Sequence, residues 1–139
     1  MRRCLELAEI ALIAGNIAVG AVVACDGVII AEASEELPNG LDVTAHAEIL
    51  AVKRACIALN STDLTDCTLY TTAEPCWMCS YTIRETGIQR VVYGTKTTDV
   101  GGLSTEYPLL SAAIEVWGNP PEIIGGILAD ECEAIRRKS

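Results

Sequence analysis

The stretch TLYTTAEPCWMCSYTIRETG, residues 68–87, changes its periodicity halfway and thereby decides the fold. Thr68 to Thr72 is a short β-branched and aromatic run, the signature of a strand. Pro75 then opens a helix over about Cys76 to Thr86, since its fixed φ suits a first turn, and Gly87 ends it. Arg90 to Gly94 is β-rich again. Strand, helix and strand thus alternate, as in an α/β layer fold.

Upstream, Arg2 to Ala14 has an amphipathic helical pattern that stops at Gly15-Asn16. Val19 to Ala24 and Val28 to Ala31 are β-branched runs joined through Asp26-Gly27, a hairpin signal. Ala33 to Val43 is polar, contains Pro38-Asn39-Gly40, and is expected to be a loop. Thr44 is placed to cap a helix running from about Ala45 to Leu59. Downstream, a loop with a short helix around Leu109 to Ala113 is expected, then a strand at Glu122 to Ile124 and a last helix at Ile127 to Arg137. Five strands and these helices predict one α/β domain over residues 1–139, a mixed five-stranded sheet between two helical layers.

Half of the 139 residues are hydrophobic and Phe is absent, so the core must come from Val, Ile, Leu and Ala. The net charge of −9, with its basic residues scattered, disfavours a large nucleic-acid partner and an anionic membrane. The apolar run Ile10 to Ala24 is too short to span a bilayer and is broken by Gly15, Asn16 and Gly20. Seven cysteines behind an N-terminus without a signal-like pattern imply a reducing, cytoplasmic setting. Cys4, Cys25, Cys56, Cys67 and Cys132 read as small buried hydrophobes.

Cys76 and Cys79 are i and i+3 at a helix start, where unpaired N–H groups favour thiolates. His46, the only histidine, stands at the start of another helix. One imidazole and two thiolates suit Zn²⁺, and three protein ligands leave a position for water. Glu48 lies two residues beyond His46, within reach of that water as a proton carrier. A lone C-x-x-C also reads as a redox pair or the edge of a structural zinc site, and a lone histidine as a satisfied polar residue. Jointly, H-A-E at 46–48 and P-C-W-M-C at 75–79 match the zinc deaminase signature H-x-E…P-C-x-x-C.

With V-G-A-V at 19–22, T-A-H-A-E at 44–48, D-C-T-L-Y-T-T at 66–72, E-P-C-W-M-C at 74–79, R-V-V-Y-G at 90–94 and G-I-L-A-D-E-C at 126–132, the chain resembles the cytidine deaminase-like superfamily. The likeness is to its branch of tRNA adenosine deaminases, guanine deaminases and fungal-type cytosine deaminases. It implies a three-layer α-β-α sandwich, zinc on His46, Cys76 and Cys79, and proton transfer by Glu48. It also implies backbone N–H groups of Ala47 and Cys76 bordering the substrate, and a homodimer.

The substrate is expected to be a small amino-heterocycle, a free nucleobase such as guanine or cytosine or a close analogue. Many relatives carry an asparagine eleven positions before the zinc histidine, where this chain has Glu35. An ionised carboxylate only accepts hydrogen bonds, so a substrate met by Glu35 should present N–H groups; a solvated acidic loop is the alternative. Against tRNA editing, Ala18 replaces a proline and Thr95-Lys96-Thr97 replaces an Arg-Asp pair; in its favour, the final helix resembles that of bacterial tRNA enzymes. Trp77 and Tyr107 are candidate stacking residues for a base. Wobble-position adenosine deamination is the second reading, and a zinc-stabilised binding domain without turnover the third.

Overall fold

The computed structural model describes residues 1–36 and 40–139. Pro38 and Asn39 of the expected loop lie outside the described residues. The elements are α1 (Arg2–Ile13), β1 (Gly20–Cys25), β2 (Val28–Ser34), α2 (Ala47–Leu59), β3 (Cys67–Ala73), α3 (Trp77–Thr86), β4 (Arg90–Thr95), β5 (Glu122–Ile124) and α4 (Ala129–Arg136). They form the expected α/β architecture, with one five-stranded sheet ordered β2-β1-β3-β4-β5. β1 runs antiparallel to β2 and β3, whereas β3, β4 and β5 are parallel. The Asp-Gly turn of the β1–β2 hairpin holds both residues at positive φ, 51° and 75°, as a tight two-residue turn requires.

Alternation along β1 sends successive side chains to opposite layers. Ala21 and Val23 join a core with Ala51, Val52 and Ile83 from α2 and α3, while Val22 meets Cys4 and Leu7 of α1. α4 lies beside α1, packed on β4. Small residues set the spacing of both layers. Ala47, Ala51 and Ala55 present a fully buried alanine stripe that lets α2 lie close to the sheet. At Gly20 a Cβ would collide with the Cys4 carbonyl oxygen, so α1 can approach β1 only over a glycine.

Four local expectations are corrected. β2 extends to Ser34, because Ala33 is buried opposite Ala21 and continues the alternation. The N-cap of α2 is His46, not Thr44, whose hydroxyl donates instead to Asp42 Oδ1 at 2.7 Å in the preceding turn. Residues 109–113 form a turn after Pro108 rather than a helix. The carbonyls of Leu109 and Ala112 are taken by the buried Arg84 guanidinium, at 2.9 and 2.8 Å. Finally, Cys25 and Cys67 are not isolated buried thiols. They face each other in register across β1 and β3 and are joined as a disulfide. No helix among the described residues is long and apolar enough to cross a membrane.

Candidate active site

The sheet changes from antiparallel to parallel pairing at β3, and the site lies at that strand's carboxyl end. Because β1 is antiparallel to β3, its first residues lie beside the last residues of β3, with Ala21 opposite Thr71. The end of β2 reaches the same edge, with Ser34 opposite Gly20. Glu35 directly follows β2, and α2 and α3 both begin at this edge. Their N-caps are His46 and Cys76, each with extended backbone dihedrals, and Cys79 lies in the first turn of α3. Two helix N-termini thus converge, which favours negative charge between them.

His46 Nδ1 lies 3.5 Å from Cys76 Sγ and 3.6 Å from Cys79 Sγ. The ligating atoms of all three residues lie within 4.8 Å of one another. A tetrahedral Zn²⁺ with its usual bond lengths sets imidazole nitrogen and thiolate sulfur roughly 3.6 Å apart, which both nitrogen–sulfur separations here match. The Cys76 thiol is drawn down to about 4 by the hydrogen bond from Cys79, with His46 adding to it. Cys79, which donates that bond and is buried, is shifted upward. Hydrogen bonding to Cys76 raises His46 to about 9.

Glu48 sits on the first turn of α2, 4 % exposed, and burial raises its carboxyl to about 7. Thr71 donates a hydroxyl hydrogen bond to Oε1 at 3.1 Å, and Cys79 Sγ lies 3.6 Å from Oε2. Such a carboxyl is poised to take up and release a proton near neutral pH. His46, Cys76, Glu48 and Glu35 line one cavity of about 130 Å³. Glu35, 3 % exposed, is no solvated loop residue: the Ala47 N–H donates to its Oε2 at 3.3 Å, and burial raises its carboxyl.

Other sequence candidates are placed elsewhere. Ala47 is fully buried at the start of α2, and its N–H is taken by Glu35. Trp77 donates its indole N–H to Thr105 Oγ1 at 3.0 Å and packs edge-on against Tyr107, with ring centroids 5.8 Å apart. Neither ring lines the cavity.

The far wall instead consists of Thr97, Val100 and Arg136, together with Glu74. Sequence reasoning did not assign these. Glu74 is 1 % exposed and accepts from the N–H groups of Leu103 and Ser104, at 2.9 and 2.7 Å, from Thr97 N–H at 3.3 Å, and from the Ser104 hydroxyl. One carboxylate therefore ties both ends of the 97–104 loop to the residue before Pro75-Cys76. The signal available in sequence was an acid directly preceding the proline, but its partners are about thirty residues away.

The family described as cytidine and deoxycytidylate deaminase zinc-binding region matches residues 1–95. The chain is 40% identical over 96 residues to the tRNA-specific adenosine deaminase of Aquifex aeolicus, covering 69% of this chain and 64% of that protein. It is 44% identical over 80 residues to the guanine deaminase of Bacillus subtilis, covering 58% and 51%. A solved structure from work on A-to-I editing by tRNA:A34 deaminases at the wobble position superposes with a TM-score of 0.90 at 32% identity, covering 97% of this chain and 96% of the other. The chain spans between 23% and 64% of the length of the first curated relatives it matches.

Proposed function

Because the chain belongs to the cytidine and deoxycytidylate deaminase zinc-binding family, we propose that it hydrolytically deaminates a small amino-substituted heterocycle and releases ammonia. One observation carries this reading: the His46, Cys76 and Cys79 donor set opens onto a cavity that it shares with the buried carboxyl of Glu48. His46 Nδ1 and the two sulfurs would hold zinc. When bound, zinc lowers the pKa of a water and supplies a hydroxide nucleophile at neutral pH. Glu48 takes a proton from the water, delivers it to the ring nitrogen beside the amino carbon, and then protonates the leaving amine. Thr71 fixes the rotamer of Glu48 for this work.

The cavity of about 130 Å³ is small beside the ~300–1,000 Å³ pockets that hold drug-sized ligands. This admits a single base ring, guanine- or cytosine-like. A second reading, conversion of adenosine to inosine at the wobble position of tRNA, is supported equally by the likeness to tRNA deaminases. Only the edited base need enter the cavity in that case. A zinc-stabilised domain without turnover is disfavoured by the intact, buried Glu48. The working unit is read as a homodimer of a domain spanning residues 1–139.

Ammonia release from guanine, cytosine, adenine and their nucleosides by the zinc-loaded protein tests the first reading. Inosine formation in an anticodon stem-loop without turnover of any free base would establish the second in its place.

A further inference from the structure

Resting on the deaminase reading, we propose that Glu35 sets the substrate class: cyclic guanidines, in which the amino carbon is flanked by an imine nitrogen on one side and a ring N–H on the other. The backbone of Glu35 is fixed on both sides. Its N–H donates to the Val19 carbonyl at 2.9 Å, and its carbonyl accepts from Asn16 Nδ2 at 3.1 Å. The side chain is buried and lines the cavity. Among the described residues its carboxylate receives one hydrogen bond, from Ala47 N–H to Oε2. No described donor reaches Oε1, and the side chain stands on the cavity wall.

Among the described residues no arginine or lysine forms an ion pair with this carboxylate. Arg54 is committed to Glu36 and to the Glu32 carbonyl, and Arg136 at the cavity wall donates to the Lys96 carbonyl. Three carboxyl groups, Glu35, Glu48 and Glu74, line the cavity, and Arg136 stands at its wall as a donor. The N–H of Ala47, expected to border the substrate, is already consumed. A ring carbonyl or bare ring nitrogen turned toward Glu35 would set lone pair against lone pair, whereas an N–H would complete the carboxylate's shell.

The location of Glu35 narrows the class further. Its partner Ala47 lies between His46 and Glu48, so the ring atom facing Glu35 is on the reacting flank. Glu48 requires an unprotonated imine nitrogen beside the amino carbon, and Glu35 requires an N–H on the other flank. Guanine, isocytosine and pterins have both; cytosine and adenine have carbon at the second position. In the reaction, water oxygen bonds to the amino carbon and the carbon–amine bond breaks. One water proton goes to the imine nitrogen and the other leaves with the amine as ammonia.

The test compares kcat/KM of the zinc-loaded protein for guanine, 1-methylguanine, isocytosine, cytosine and adenine, before and after Glu35→Gln. Guanine and isocytosine should exceed cytosine and adenine by roughly tenfold to hundredfold, and methylation of the flanking N–H should remove that advantage. Glu35→Gln should reduce the ratio about tenfold at unchanged zinc content. By calorimetry, it should weaken guanine binding to the Glu48→Gln protein by a similar factor. Turnover that favours adenine or cytosine, full activity on 1-methylguanine, or a ratio untouched by Glu35→Gln overturns the proposal and leaves the deaminase reading standing. No ammonia from any base at full zinc occupancy overturns both. Should Glu35→Gln fail to fold, the methylated base on the unaltered protein still decides.

Discussion

Replacing Glu74 by Gln should loosen the wall of the cavity without disturbing the metal ligands. The carboxylate accepts two N–H groups at Oε1, and at Oε2 the Thr97 N–H and the Ser104 hydroxyl. Glutamine keeps one carbonyl oxygen for Leu103 and Ser104 but turns an NH₂ toward Thr97, donor against donor. The Ser104 hydroxyl can rotate to accept; the Thr97 N–H cannot. One unsatisfied buried donor costs about 1–3 kcal/mol, and loss of charge assistance in the remaining bonds brings the total to about 3 kcal/mol. Local opening of the 97–104 loop should then be about a hundredfold more frequent. Hydrogen exchange at the Thr97, Leu103 and Ser104 amides reads this directly. Since Thr97 and Val100 line the cavity, KM should rise several-fold more than kcat falls, with zinc content unchanged. Gly101→Ala should produce the same loosening, because a Cβ there would collide with the Thr97 carbonyl and Glu74 Oε1. Unchanged protection of the loop amides in Glu74→Gln would refute the clamp; loss of zinc would show that Glu74 acts on Cys76 instead.

Glu48→Gln should retain zinc, measured by atomic absorption, and lose turnover by about two to four orders of magnitude; a near-normal rate would mean that another group carries the proton. Cys79→Ala should lose the metal, since one imidazole and one thiolate remain; full occupancy would refute the donor set. The Cys25–Cys67 bond closes a loop with a sequence separation of 42, for which chain entropy gives about 4 kcal/mol. Reduction, or the paired Cys25→Ser and Cys67→Ser changes, should lower Tm by about 10 °C in scanning calorimetry. An unchanged Tm would mean that the link constrains nothing in the unfolded chain.

Features written into short sequence windows were legible before the structure. The strand–helix switch at residues 68–87 and the Asp26-Gly27 hairpin depend on neighbours a few positions apart. So do the pairs His46/Glu48 and Cys76/Cys79, which share the first turns of two helices. Features fixed by distant partners were not legible. The disulfide depends on the register of β1 against β3, and the failure of residues 109–113 to form a helix depends on Arg84 taking their carbonyls. The Glu74 clamp likewise closes only when a loop thirty residues later folds back.

The same division explains why the reaction class is easier to read than its substrate. The family match ends at Thr95, after His46, Glu48, Cys76 and Cys79 but before Thr97, Val100 and Arg136. It spans the candidate zinc ligands and the proposed proton carrier, and it stops short of the cavity wall formed by Thr97, Val100 and Arg136. Relatives named for tRNA adenosine and for guanine both match this chain at similar identity, 40% and 44%. Within the matched range, Glu35 lines the cavity with a carboxylate oxygen that no described donor reaches. On the proposed reading, discrimination among bases comes from this acid together with the 97–136 wall. Glu35→Gln and Glu74→Gln should accordingly separate in their effects: the first changes which base is preferred, the second how tightly any base is held.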